Sequence, residues 1–164
     1  MKKVTLIIAS FVLIAINLIG CSNFETATVT RIIDGDTFVV DQNDIVRIVG
    51  INAPEKKEPC FFESTQYLQE LILGKKVKLL QDSKQGDRDN LGRELSKDEN
   101  QIRIDGRLLR YVFIEGEDVG KRMISDKKAM DYNSYAESVN KTKLEYDKEE
   151  EYNEVSSLIQ CNVR

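Results

Sequence analysis

Residues 26–51 constrain the fold most, because short Val-, Ile- and Thr-rich runs alternate there with polar turns. Residues 26–33 read as a strand, Asp34-Gly35-Asp36 as a turn at which Gly35 lets the backbone bend, and 37–41 as a second extended run. Gln42-Asn43-Asp44 is expected to form a hairpin loop before a third strand at 45–51, and Pro54 ends any regular ladder. In that third strand Arg47 shares a face with Ile45 and Val49, an awkward place for a guanidinium unless it meets an anion. Residues 63–73 predict a helix, with Tyr67, Leu68, Leu71 and Ile72 on one stripe and Gly74 as its stop. A strand at 75–80 follows, then a polar loop at 81–101, a strand fragment at 102–104 and a clear strand at 108–115. Asp118 is placed to cap a helix running to about residue 130. Tyr152, Val155, Leu158 and Ile159 give one more helical stripe, behind a solvated charge run at 147–151. Strands come first and helices follow, which favours a small barrel flanked by helices over a parallel α/β sheet.

The N-terminus reads as an address. Lys2 and Lys3 precede an apolar run from Val4 to Ile19, the pattern of an export signal, although a run of this length could also serve as an uncleaved anchor. Leu18-Ile19-Gly20-Cys21 resembles the lipobox of bacterial lipoproteins, in which the cysteine is lipidated and becomes the mature N-terminus. The expected organisation is therefore a signal peptide at 1–20, a tether at 21–25 and one domain at 26–164. The expected location is the cell envelope, with plain secretion as the alternative. Loss of the signal takes the formal charge from −4 to −6. In an oxidising compartment, Cys60 and Cys161 are either a disulfide tying the C-terminal segment to the body or two unpaired buried thiols.

The chain has no histidine, which removes Ser-His-Asp and Cys-His catalysis and any imidazole-based zinc site. Three cysteines are too few for a zinc ribbon, and the acidic balance is not that of a protein holding nucleic acid by charge alone. Carboxylates and guanidinium groups remain. Asp34 and Asp36 flank a glycine at a strand break and could offer oxygens to a hard cation such as Ca²⁺. Asn52-Ala53-Pro54-Glu55 follows the Arg47 strand with an amide, backbone carbonyls and a carboxylate, and Gly106-Arg107 sets a second guanidinium before the late strand. Each of these alone is an ordinary turn, loop or strand end. Together they supply what phosphodiester cleavage without histidine needs: a carboxylate base, a metal ion and fixed cations.

Val29-Thr30-Arg31-Ile32-Ile33-Asp34-Gly35-Asp36-Thr37 resembles the opening strand of the staphylococcal-nuclease-like (thermonuclease) family. Residues 46–55 resemble its arginine strand and Asp-Thr-Pro-Glu loop, and Gly106-Arg107-Leu108-Leu109-Arg110-Tyr111-Val112-Phe113 its later Gly-Arg strand. Cys60-Phe61-Phe62-Glu63 and Gly74-Lys75-Lys76-Val77 fit the connecting helix and strand; the likeness runs from about residue 26 to 130 and then fades. The resemblance implies an α+β fold, an OB-type five-stranded barrel flanked by about three helices, and Ca²⁺-dependent cleavage of DNA and RNA. It implies Asp36 as the main metal ligand, Asp34 as an outer-sphere helper, and Asn52 and the Ala53 carbonyl as further ligands. Glu55 would be the general base, and Arg47 and Arg107 would bind the phosphate; Arg47 could instead only pair with Asp34 or Glu55.

Two departures stand out. Asn52 occupies the place of a ligand aspartate, which removes one negative charge from the metal site. The acid-Tyr-Gly-Arg approach to the late strand is split, since Asp89-Asn90-Leu91-Gly92-Arg93 imitates it while the strand follows Gly106-Arg107. Arg107 is preferred to Arg93 because residues 108–113 supply a strand to hold it. Lys56, Lys57 and Lys84 are the expected local positive charges, and Tyr132 and Tyr135 the candidates for base stacking. The expected function is a membrane-tethered Ca²⁺-dependent nuclease. The rivals are a non-catalytic nucleic-acid-binding module on the same barrel and a structural envelope lipoprotein with a decayed site.

Overall fold

The computed structural model describes residues 24–89, 106–155 and 158–159. Strand β1 (Glu25–Ile32) pairs antiparallel with β2 (Thr37–Val40) on one side and with β5 (Lys76–Gln81) on the other. β2 pairs antiparallel with β3 (Ile45–Ile48), and β5 with β6 (Leu108–Ile114). A parallel pairing of β3 with β6, in the register Val46↔Leu108, Arg47↔Leu109 and Ile48↔Arg110, closes the five strands into a barrel. Closure removes the free edges, and it sets the start of β6 beside Arg47.

The barrel interior follows the period of two. Val77 and Leu79 of β5 are buried while Lys76 and Lys78 are exposed, and Val29, Phe38, Val46, Ile48 and Val112 fill the centre. Helix α1 (Phe61–Ile72) lays Leu68 and Ile72 on this core, with Tyr67 and Leu71 half-buried beside them. Each such apolar side chain contributes about 1.5–3 kcal/mol of burial. The helix begins two residues before the expected start, and Gly74 at φ 73° follows its end.

The expected third strand at 45–51 is broken. β3 stops at Ile48, the chain turns through Gly50 (φ 79°), and Ile51–Asn52 form β4, which pairs with β8 (Met130–Asp131). A Cβ on Gly50 would lie 2.7 Å from the Tyr146 ring, so the turn needs both its left-handed φ and its empty side. The second extended run also ends early, at Val40, in a 3-10 turn at Asp41–Asn43. Asp118, in the two-residue β7 (Glu117–Asp118), caps helix α2 as expected, accepting from Lys121 N at 3.1 Å. That helix covers only Val119–Ser125, because Lys127 takes a left-handed φ of 59° and the chain then enters β8.

Two further helices follow, α3 (Tyr132–Ser138), which periodicity does not announce, and α4 (Glu149–Glu154). The described residues thus hold four α-helices where about three were expected. The C-terminal stripe fails beyond α4: Tyr152 is fully buried, but Leu158 is exposed. Nor is the charge run merely solvated, since Asp147 accepts from Ser83 N and Oγ and Lys148 lies 2.9 Å from Asp118. Two buried tyrosines of this segment fasten it to the body, through Tyr146–Asp131 and Tyr152–Asp118 hydrogen bonds, and the buried Asp82–Tyr111 pair of the barrel accepts from the backbone N–H groups of Asp147 and Lys148.

β1 already includes Glu25, so the tether expected at 21–25 ends one residue sooner. The signal segment, Cys21, the fragment at 102–104, Arg93 and Cys161 lie outside the described residues. Cys60 is disulfide-bonded. Among the described residues, no helix is long and apolar enough to cross a membrane.

Candidate active site

The Asp34-Gly35-Asp36 turn joins β1 to β2, and Asp34 Oδ1 accepts from Asp36 N at 3.0 Å. Gly35 serves this turn by its size rather than by an unusual φ. A Cβ there would lie 1.9 Å from Ser64 Oγ of α1 and 2.7 Å from Ala53 Cβ. The turn can therefore sit flat between the helix and the 52–55 loop. Asp36 is buried, with its carboxylate shared among three elements. Oδ1 accepts from Thr37 Oγ1 at 2.9 Å and lies 2.5 Å from Arg47 Nη1, while Oδ2 accepts from Ala53 N at 2.7 Å.

Arg47 thus finds the anion its apolar strand face requires, and it pairs with Asp36 rather than with Asp34 or Glu55. The contact is close, but Nη1 is not aligned as a hydrogen-bond donor to any group. Nη2 donates to the Ile51 carbonyl at 3.0 Å, which holds the guanidinium plane across the β3–β4 turn. Burial, and secondly the Asp36 charge, push the Asp34 carboxyl up to about 7 from an ordinary 3.8.

Arg107 enters from the start of β6. Its Nε and Nη2 donate to Asp89 Oδ2 at 2.9 and 2.6 Å, its backbone N to Asp89 Oδ1 at 3.1 Å, and its Nη1 to Thr37 Oγ1 at 3.4 Å. Thr37 therefore bridges the two arginine–carboxylate pairs. The split motif is rejoined in space: Asp89 N donates to Arg107 O at 3.0 Å and Leu109 N to Asp87 O at 3.0 Å, on either side of residues 90–105. The acid of the first half-motif and the arginine of the second form one unit.

Asn52 sits on β4, with Nδ2 3.5 Å from the Ala53 carbonyl oxygen. Glu55 is exposed in the loop that follows; its backbone N donates to Glu58 Oε2 at 2.8 Å, and its carbonyl accepts from Glu58 N. Arg47, Asn52, Glu55, Asp89 and Arg107 line one cleft of about 350 Å³ together with Tyr132, Tyr135, Lys141 and Tyr146. Asp36 lies behind Arg47 and does not line the cleft. Both candidate stacking tyrosines reach it. Lys56, Lys57 and Lys84 do not; the lysine on the wall is Lys141, which no local motif marked.

The oxygen donors near Asp36 suit a hard cation in kind. Ala53 N donates to Asp36 Oδ2, while Asn52 turns its amide nitrogen, not its oxygen, toward the Ala53 carbonyl, so the amide must turn over before its oxygen could join a cation. Charge is scarce there, because Arg47 already faces Asp36. Among the described residues, no group of three or more His, Cys, Asp or Glu side chains converges to hold a metal.

The family described as staphylococcal nuclease homologue matches residues 45–155, about two thirds of the chain. The match takes in Arg47, the 52–55 loop, Arg107, Tyr132, Tyr135 and Lys141, and begins at β3, after the turn carrying Asp34 and Asp36. It also extends past residue 130, where the motif likeness fades. A search of curated proteins found no match.

Proposed function

The chain belongs to the staphylococcal nuclease homologue family, and from that premise we propose that it is a Ca²⁺-dependent nuclease hydrolysing phosphodiester bonds of DNA or RNA, tethered to the cell envelope through a lipidated Cys21. One observation carries the reading. Two guanidinium groups, on β3 and at the start of β6, are linked through Asp36 and Thr37 and line one cleft with Glu55.

Asp36, Asn52 and the Ala53 carbonyl are the residues that would hold the cation, with Asp34 acting through water. The bound ion would polarise the phosphoryl oxygens and the attacking water. Glu55 takes the proton from that water as its oxygen forms the new bond to phosphorus, and the P–O bond to the leaving alcohol breaks in line. Arg47 and Arg107 donate to the phosphoryl oxygens as negative charge grows there, Arg47 from the Nη1 that faces Asp36 and Arg107 from the Nη1 that meets Thr37, its Nε and Nη2 staying on Asp89. Pre-aimed donors of this kind are each worth about 2.7–4 kcal/mol of barrier.

The test uses the mature chain with single-stranded DNA and with RNA, in Ca²⁺ or in a chelator. Metal-dependent fragments that disappear in Glu55→Gln support the proposal. Asn52 and the carboxylate partners of both arginines favour a second reading, a module that binds nucleic acid without cutting it. Binding without fragments under every metal condition would establish that reading instead. For the tether, incorporation of labelled lipid that is lost in Cys21→Ala is the expected result.

A further inference from the structure

The cleft also holds a cation with a different kind of partner. Among the described residues, three basic side chains line the cleft: Arg47, Arg107 and Lys141. The two arginines face carboxylates, Asp36 and Asp89. Lys141 Nζ instead donates to the neutral Tyr135 phenol at 3.0 Å and lies 5.0 Å from the centre of the same ring. Lys141 therefore meets an incoming anion without first giving up an ion pair. It also sets the sign of the cleft: the two arginines are balanced by Glu55 and Asp89 on the lining, and Lys141 tips the wall positive in an otherwise acidic protein.

The lysine is held in place by its backbone. Lys141 N donates to the Ala136 carbonyl at 2.8 Å, just after the left-handed Asn140. Three residues on, the Asn133 side chain grips both backbone groups of Leu144, donating to its carbonyl at 2.9 Å and accepting from its N–H at 2.8 Å. The segment bearing Lys141 is thus fixed against α3, beside the cleft. Glu55 lines the same cleft as Lys141.

Resting on the nuclease reading above, we propose that Lys141, aimed by Tyr135, binds the phosphate adjoining the scissile one. The preferred substrate is then a polynucleotide strand with at least two consecutive phosphodiesters, rather than a single nucleotide ester.

The experiment measures binding, so that it does not depend on turnover. Fluorescence anisotropy in Ca²⁺ is read for a labelled single-stranded octanucleotide and a labelled dinucleotide with one phosphodiester, in the Glu55→Gln background. Adding Lys141→Gln should raise the octanucleotide Kd at least fivefold and cut the slope of log K against log salt by about 0.7, the loss of one phosphate contact on a single strand. The dinucleotide Kd should stay within twofold. Lys141→Arg should restore the slope, and Lys143→Gln, whose lysine pairs with Glu137 at 3.0 Å, should leave it unchanged. An unchanged octanucleotide Kd and slope in Lys141→Gln, or an equal loss on both ligands, overturns the inference and leaves the nuclease reading intact. If the Glu55→Gln parent binds neither ligand, both readings fall.

Discussion

Arg107 donates three hydrogen bonds to the Asp89 carboxylate, from Nε, Nη2 and its backbone N–H, and accepts a fourth from Asp89 N, although residues 90–105 lie between them in sequence. The carboxylate aims the guanidinium along Thr37, where a phosphoryl oxygen could replace one of its bonds without disturbing the others. A planar fork is required for this, since a lysine ammonium has its three donors on one nitrogen and cannot span Asp89 and a phosphoryl oxygen as the separated nitrogens of a guanidinium do. Arg107→Lys should therefore lower kcat about 10²-fold on single-stranded DNA while changing KM less than fivefold. Steady-state kinetics at saturating Ca²⁺ check this; a loss confined to KM would mean that the arginine binds substrate equally in ground and transition states.

Gly35 and Ser64 make a steric prediction that is independent of catalysis. A methyl group at residue 35 would meet Ser64 Oγ at 1.9 Å and Ala53 Cβ at 2.7 Å, and neither neighbour is the tip of a flexible chain. Gly35→Ala should cost about 1–3 kcal/mol of stability by overpacking. Ser64→Ala removes the nearest atom, a buried hydroxyl without a hydrogen-bond partner, and should be mild alone. Combined, the two changes should recover part of the loss. Urea unfolding of the four proteins gives the coupling, and strict additivity would show that the turn yields elsewhere.

The barrel was legible because its strands announce themselves by period and turn. Val77 and Leu79 against Lys76 and Lys78, or Asp34-Gly35-Asp36 at a strand break, carry their structure locally. Arg47 was legible for a related reason: a guanidinium on an apolar strand face needs an anion, and Asp36 provides it. The missed features are those made by distant pieces. Helix α3 is a short segment held by the Asp131 cap and by Asn133 contacts to Leu144 and Glu149, none of which shows as periodicity. Lys141 reaches the cleft because that strap folds back over it, so no spacing near the motifs could mark it. The helix expected to run from Asp118 to about residue 130 ends at Ser125 because the chain must turn back at Lys127 to pair Met130 with Asn52. That demand comes from the sheet rather than from the helix.

The buried tyrosines predict a steep alkaline limit to stability. Burial, reinforced by an aspartate partner, holds the Tyr111, Tyr146 and Tyr152 phenols well above their ordinary value of 10.0. In the unfolded chain they ionise near pH 10. Above that pH the native state keeps protons that the unfolded state has lost, so unfolding free energy falls as pH rises, by about 1.4 kcal/mol per pH unit for each phenol. The contribution is complete below pH 10 and drains away above it. Denaturant unfolding at pH 9, 10 and 11 should show up to three protons released on unfolding, and Tyr146→Phe should remove one of them. The same variant should cost about 1–3 kcal/mol at pH 8, because Asp131 loses its phenol donor and keeps the Ser134 N–H at 2.8 Å.

Asn52 offers the sharpest test of the metal reading. Its amide lies beside the carbonyl of Ala53, the residue whose N–H holds Asp36, and Arg47 already offsets the Asp36 charge. A hard cation at this spot would gain more from a second full charge than from any other single change, since ligand charge count is a main control of Ca²⁺ affinity. Asn52→Asp should tighten Ca²⁺ about tenfold by calorimetry, and raise the melting temperature in Ca²⁺ more than in chelator, because the ion binds the native state alone. In chelator the same change should destabilise the fold, as a second carboxylate near Asp36 repels it. Equal Ca²⁺ affinity in the two proteins would place the cation away from Asn52, and the role assigned to the 52–55 loop would then have to be withdrawn.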